Sequence, residues 1–339
     1  MSDSSRVIAV VNQKGGVGKT TTAVNLAACF AASEKRTLLI DLDPQANASS
    51  ACGVLKDPQH QIYDALIGVC AMREATADTD LRFLHIVPAG RDLVGAEIEL
   101  VTTENRERRL EMALEAIRSD YDAILIDCPP SLGILTLNAL TAADSVLIPL
   151  QCEYYALEGL ARLLETVELV RASLNPQIEL EGLVLTMVDS RNNLARQVEA
   201  EVRSHFGDSV FETLIPRNVR LSEAPSHGKP ILLYDIQSRG AIAYLRLAEE
   251  MLARMARHRE AHDPTSQTSE LSAPGDLTQG DPAVAADPPT GSEPTVPDLT
   301  AANAVESPAV DAESAAPEAA TDNAASIGSV EGDPSGNPA

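Results

Sequence analysis

The residues best equipped for chemistry stand together at 12–22, NQKGGVGKTTT. Gly15, Gly16 and Gly18 free the backbone to turn successive N–H groups inward. A nest of that kind, followed by a helix N-terminus, binds phosphate oxygens. Val17 completes the turn. In such a loop Lys19 reaches the β- and γ-phosphates, the Thr20 hydroxyl ligates Mg2+, and Thr21 is placed for the α-phosphate. The segment departs from the plain G-x-x-x-x-G-K-[ST] pattern: Gln13 occupies the position of the first glycine, and a second lysine, Lys14, precedes the glycine pair.

Two carboxylate-bearing segments complement the loop. In IDLDPQANASS (40–50), strand alternation puts Asp41 and Asp43 on the same side at a strand's C-terminal end, where ligands sit in parallel sheets. In ILIDCPPS (124–131), an apolar run ends in Asp127, a Walker B-like arrangement whose carboxylate reaches Mg2+ through water.

Such groups need elements to hold them. Apolar, β-branched runs predict strands at 6–12, 37–43, 83–89, 122–128, 144–150, 180–188 and 209–215. They are runs more than alternations, as in strands covered on both faces. Helices are expected at 20–33, 104–118, 156–173, 192–206 and 240–259, the last with an apolar stripe of Leu245, Ala248, Leu252 and Met255. The β-α alternation predicts an α/β fold: a doubly wound, mostly parallel sheet with helices on both faces.

Composition bounds the function. The chain has 339 residues, a net charge of −24, 3% aromatic residues and no Trp. Residues 263–339 hold 14 of the 50 acidic side chains, none of the 26 basic ones and 11 of the 21 prolines. This stretch cannot bury enough apolar surface to offset its ordering entropy, so a disordered acidic tail is expected after a single domain at 1–262. No apolar run reaches the ~18–20 residues of a membrane span. MSDSSRVIAVVNQ lacks the order of a signal peptide. Five cysteines without a CxxC pair suggest neither a zinc cluster nor a disulfide framework, and fit a reducing cytoplasm.

KGGVGKTTT resembles the deviant Walker A loop of the ParA/MinD group of P-loop ATPases. The likeness spans nearly all of residues 6–255, including IDLDPQANA, DCPPSLGILTLNAL, EYYALEGL and RNVRLSEAPSHGKPI. It implies ATP and Mg2+ as cofactors, with ATP held by Lys14, Gly15, Gly16, Val17, Gly18, Lys19, Thr20 and Thr21. Lys14 matches the signature lysine that crosses to the nucleotide of a facing subunit, so ATP binding implies a homodimer. Asp43 matches the water-positioning aspartate, making Lys14, Lys19 and Asp43 the catalytic set. Asp41 looks like a supporting carboxylate of the Mg2+ shell, alongside Thr20 and Asp127. Pro216 and Asn218 match positions that contact adenine.

Within the group the likeness favours the chromosomal ParA, Soj-like branch. Lys14 lies too near the first residue for a preceding helix-turn-helix domain. An acidic stretch after the 240–259 helix suits neither anionic lipid nor a membrane-targeting end. The implied function is an ATPase switch for chromosome or plasmid segregation. Its ATP dimer binds DNA non-specifically through Arg191 and Arg220, and a ParB-type partner stimulates hydrolysis. No membrane partner is implied, and the location is cytoplasmic and nucleoid-associated. A MinD-like membrane-associated positioning ATPase is the alternative.

Overall fold

The computed structural model describes residues 5–54, 59–153, 156–189 and 191–262, with side chains to Arg257. Seven strands form one sheet: β1 Arg6–Val10, β2 Thr37–Asp41, β3 Ala77–Asp78, β4 Leu84–Val87, β5 Ala123–Asp127, β6 Ser145–Gln151 and β7 Glu179–Thr186. Their order is β3-β4-β2-β5-β1-β6-β7, parallel throughout except for β3, which pairs antiparallel with β4. Six of the seven expected strands are present. The tail expected at 263–339 lies outside the described residues.

The runs of apolar residues have the predicted consequence. Along β1, Val7 and Ala9 enter one core while Ile8 and Val10 enter the other, and Leu38 and Ile40 oppose Leu39 in the same way on β2. Both faces are therefore covered. The helix Lys19–Ala32 packs against the long helix Arg239–His262, and Thr22 and Tyr244 share a buried hydrogen bond of 3.1 Å between the two.

The stripe on that last helix differs from expectation. Ala241, Tyr244, Leu247, Ala248, Met251 and Met255 are buried, whereas Leu245 is 37% exposed. The apolar face is wide and centred on Tyr244, so the sequence pattern alone places it one step off.

The strand expected at 209–215 does not form. This segment follows β7 with isolated bridges, Leu183 to Val210 and Val188 to Pro216. Between them the amides of Glu212 and Thr213 donate to the Glu250 carboxylate, at 2.9 and 3.0 Å, instead of to a ladder. Burial pushes the Glu250 carboxyl up, but those amides and the Arg254 charge outweigh it and hold the group below its ordinary range.

Register places the chemistry. Val10 of β1 stands beside Asp127 of β5, which stands beside Asp41 of β2. The loops leaving three central strands thus emerge together at the sheet's C-terminal edge. Connections from β1 run to β2 on one side and from β5 to β6 on the other, the arrangement that opens a ligand crevice.

Candidate nucleotide site

The loop after β1 is held from two sides. Asn12 donates through Nδ2 to the Pro149 carbonyl (2.8 Å) and accepts the Lys14 amide through Oδ1 (2.9 Å). Thr186 at the end of β7 donates to the Val17 carbonyl (2.8 Å). Gly16 and Gly18 take φ of +77° and +89°, the left-handed conformation that favours glycine, and a Cβ on Gly16 would meet nothing within 4 Å. The space over the loop is open. No side chain caps the helix that starts at Lys19, so its first N–H groups remain for an anion.

The two lysines face opposite ways. Lys19 is 7% exposed, and its Nζ donates to the Lys14 carbonyl at 3.3 Å. Burial lowers its pKa, while Asp127, Cys128 and Asp43 oppose that shift. Lys14 sits on the exposed rim, its ammonium paired with Glu153 after β6.

The carboxylates divide sharply. Asp41 is fully buried and fully engaged: its Oδ2 accepts the Ser49 amide (2.7 Å) and hydroxyl (2.6 Å), and its Oδ1 faces the Asp43 amide at 3.3 Å. Burial nevertheless pushes its carboxyl up to about 6, against the pull of those bonds. Asp127 is equally buried, yet neither carboxylate oxygen has a hydrogen-bond partner of good geometry. Burial first, then the Asp41 charge, raise it well above the carboxylate range, while the nearby Thr20 hydroxyl and Lys19 ammonium pull it down. Asp43, 6% exposed, accepts the Gln45 amide at 2.9 Å.

An orphaned buried carboxylate beside a threonine hydroxyl fits a divalent cation. Among the described residues no group of three or more His, Cys, Asp or Glu could hold a metal unaided, so a cation here would also need a nucleotide's own oxygens. Thr20 and Asp127 suit that duty. Asp41, whose oxygens are taken, is built to support its neighbours.

A cavity of about 550 Å3 continues from the loop. Gly18, Thr20 and Thr21 line one part; Met187, Pro216, Arg217, Asn218 and Tyr244 line others. The stretch 215–231 contains the helix Val219–Glu223 and a 3-10 turn, Ala224–His227. Asn218 caps that helix: its Oδ1 accepts the Arg220 amide (2.8 Å). That bond fixes the amide orientation and leaves the Asn218 NH2 group free as a donor. The segment is anchored below by Asn25, whose Oδ1 accepts the Ile231 amide (2.7 Å) and whose Nδ2 donates to Thr21 (2.8 Å).

Arg191 and Arg220 stand on adjoining segments, joined where Val188 donates to Ile215 (3.0 Å). Both are ion-paired, Arg191 with Asp189 (2.9 Å) and Arg220 with Glu223 (2.9 Å) and Asp235 (3.5 Å). The Arg191 hydrogen bond holds the Asp189 carboxyl down at about 2. Sequence reasoning missed Ser49, Asn25, Thr186 and Met187. Ser and Asn after a strand-end Asp are a signal for Ser49; nothing local marks Met187, whose φ of +52° brings its methyl within 3.9 Å of a Cβ placed on Gly18.

A glycine-bent loop between a central strand and a helix, with carboxylates ending the neighbouring strands, defines a P-loop nucleotide-binding domain. The family model described as "AAA domain" matches residues 5–180. The chromosome partitioning protein ParA of Myxococcus xanthus is 59% identical over 250 residues, covering 74% of this chain and 88% of that protein. The sporulation initiation inhibitor protein Soj of Bacillus subtilis is 58% identical over 249 residues, 73% of this chain and 98% of that one. This chain belongs to the ParA/Soj family of chromosome-partitioning ATPases. Among solved structures it is similar to cobyrinic acid a,c-diamide synthase of Mycobacterium smegmatis with bound ATP analog and magnesium, at 38% identity and a TM-score of 0.66, covering 75% of this chain and 97% of that one. It is also similar to the cell division ATPase MinD of Pyrococcus furiosus, at 25% identity and a TM-score of 0.62, covering 75% and 100%. No described helix is long and apolar enough to cross a membrane.

Proposed function

We propose that residues 1–262 form an ATP-dependent dimerising switch for DNA segregation. One observation carries the reading: two lysines five positions apart, Lys19 turned inward beside Asp127 and Lys14 turned outward on the rim. Lys19, Thr20, Thr21 and the loop amides bind the triphosphate. Thr20 and Asp127 hold Mg2+, which supplies charge neutralisation at the transferred phosphate. Asp43 orients the attacking water. Pro216 and Asn218 border the base. Lys14 leaves Glu153 for the nucleotide of a facing copy, so that closing two protomers adds a cation to each triphosphate.

ATP then acts by population shift, since it binds the closed pair better than the open one. The closed pair binds DNA phosphates non-specifically through arginines at 191 and 220, and a ParB-type partner triggers hydrolysis and release. The location is the cytoplasm, on the nucleoid. The likeness of this chain to the chromosome partitioning protein ParA of Myxococcus xanthus and to Soj of Bacillus subtilis supports the cargo.

Sedimentation with ATP and Mg2+ tests the switch. Lys14→Ala is expected to remain monomeric while still binding ATP, and to lose ATP-dependent DNA retention. A Lys14→Ala protein that pairs and binds DNA like the wild type ends the proposal.

A further inference from the structure

The five-residue helix Asn47–Ala51 stands between two parts of the site. On one side Ser49 holds Asp41 through its amide and its hydroxyl, and the same hydroxyl accepts the Ala89 amide at 3.0 Å. Asp41 in turn faces the amide of Asp43. On the other side the helix runs into Gly53, which packs backbone to backbone against Gly228. A Cβ on Gly53 would stand 2.9 Å from the Gly228 carbonyl oxygen. One on Gly228 would stand 3.1 Å from the Gly53 Cα and 3.5 Å from the Ser50 carbonyl oxygen. Their φ values are +74° and +63°, so neither position accepts a side chain without strain.

Both partners wall the same cavity. Asn47, Ser50 and Ala51 line it from the helix, and Pro216, Asn218 and Ser226 from the segment that ends at Gly228. A ligand seated there presses on both sides of the glycine contact. Packed backbone transmits displacement because close-packed interiors compress little.

We propose that the Gly53–Gly228 contact is a positioning device: it passes occupancy of the base cavity through Ser49 to Asp41 and the Asp43 loop. Gly53, Gly228 and Ser49 are positioning residues, acting on the water-orienting carboxylate without touching substrate. The idea rests on reading the cavity as an adenine nucleotide site and deepens it: hydrolysis then answers to the base as well as to the phosphates.

Adenosine, which has a base and no phosphate, is the probe. Hydrogen exchange of the full chain with saturating adenosine is expected to slow at 215–231 and also at the amides of Asp43, Ser49 and Ala89, by at least about threefold. Protection confined to 215–231 overturns the proposal and leaves the cavity's assignment standing. Protection nowhere removes both. A double-mutant cycle on single-turnover ATP hydrolysis supplies the second measurement. Gly228→Ala and Ser49→Ala are each expected to slow turnover about tenfold with ATP affinity little changed. Together they should cost no more than the slower single variant, as for two links of one path. Multiplying effects, about a hundredfold in the double variant, overturn the proposal. If Gly228→Ala does not fold, exchange in the wild type decides alone.

Discussion

Asp41 and Asp127 sit side by side at the ends of β2 and β5, equally buried, and meet opposite fates. The first has every oxygen engaged by Ser49 and the Asp43 amide; the second has none satisfied. Burying a carboxylate is costly in both places, and only one cost is offset by hydrogen bonds within the chain. The difference separates support from binding. A satisfied carboxylate fixes a loop; an orphaned one is poised for a cation supplied from outside, and its cost is recovered when that cation arrives.

The comparison breaks most visibly at Asp127. Asp127→Asn keeps the shape and removes the charge, so Mg2+-dependent hydrolysis should fall by about a thousandfold. In the nucleotide-free protein the same change should raise the melting temperature at pH 8, since it deletes an uncompensated buried charge. A lowered melting temperature would show that Asp127 is structurally satisfied and that the contrast is wrong.

Acidity sharpens the contrast next. Both carboxyls are raised on folding, so the folded chain holds protons that the unfolded chain releases. Stability from this source is fully present below about pH 4 and is lost as pH rises through about 6, where Asp41 titrates. For Asp41 alone the shift corresponds to roughly 3 kcal/mol. Denaturant unfolding of nucleotide-free protein between pH 5 and pH 8 should therefore show about half of this loss from Asp41, reduced overall in Asp127→Asn, and reversed by ATP with Mg2+. A flat profile would refute it.

The smallest effect belongs to Ser49. Ser49→Ala removes one donor to Asp41 and the acceptor for the Ala89 amide, which should destabilise the fold by about 1–3 kcal/mol at pH 8. Denaturant midpoints measure it. An unchanged midpoint would mean that Asp41 is held by other means.

Much of the frame was legible because its signals are local. The glycine pattern, the apolar runs and their terminal aspartates identify the loop and six strands. What escaped depends on distant partners. The helix Ile134–Ala142 is apolar nearly all round and shows little periodicity, and NASSA at 47–51 is too short to show any. The strand expected at 209–215 gives the amides of Glu212 and Thr213 to Glu250, almost forty positions away, and keeps only those of Phe211 and Ile215 on β7. Alternation marked Asp41 and Asp43 at a strand end, yet it could not show that Ser49 engages the first while Asp127 is left without a partner. Arg191 and Arg220 were legible as cations, but their ion pairs with Asp189, Glu223 and Asp235 were not.

The Glu250 clamp has a consequence for crowding. Sheet borders with open donors invite strands from other molecules to zip on, and proteins that gather at high local density are the most exposed to that hazard. Here the amides at 212 and 213 are already taken by a carboxylate from the molecule's own last helix, and Arg254 lies over the Phe211 ring at 4.1 Å beside it. Crowded copies therefore find that flank shut to edge-on aggregation.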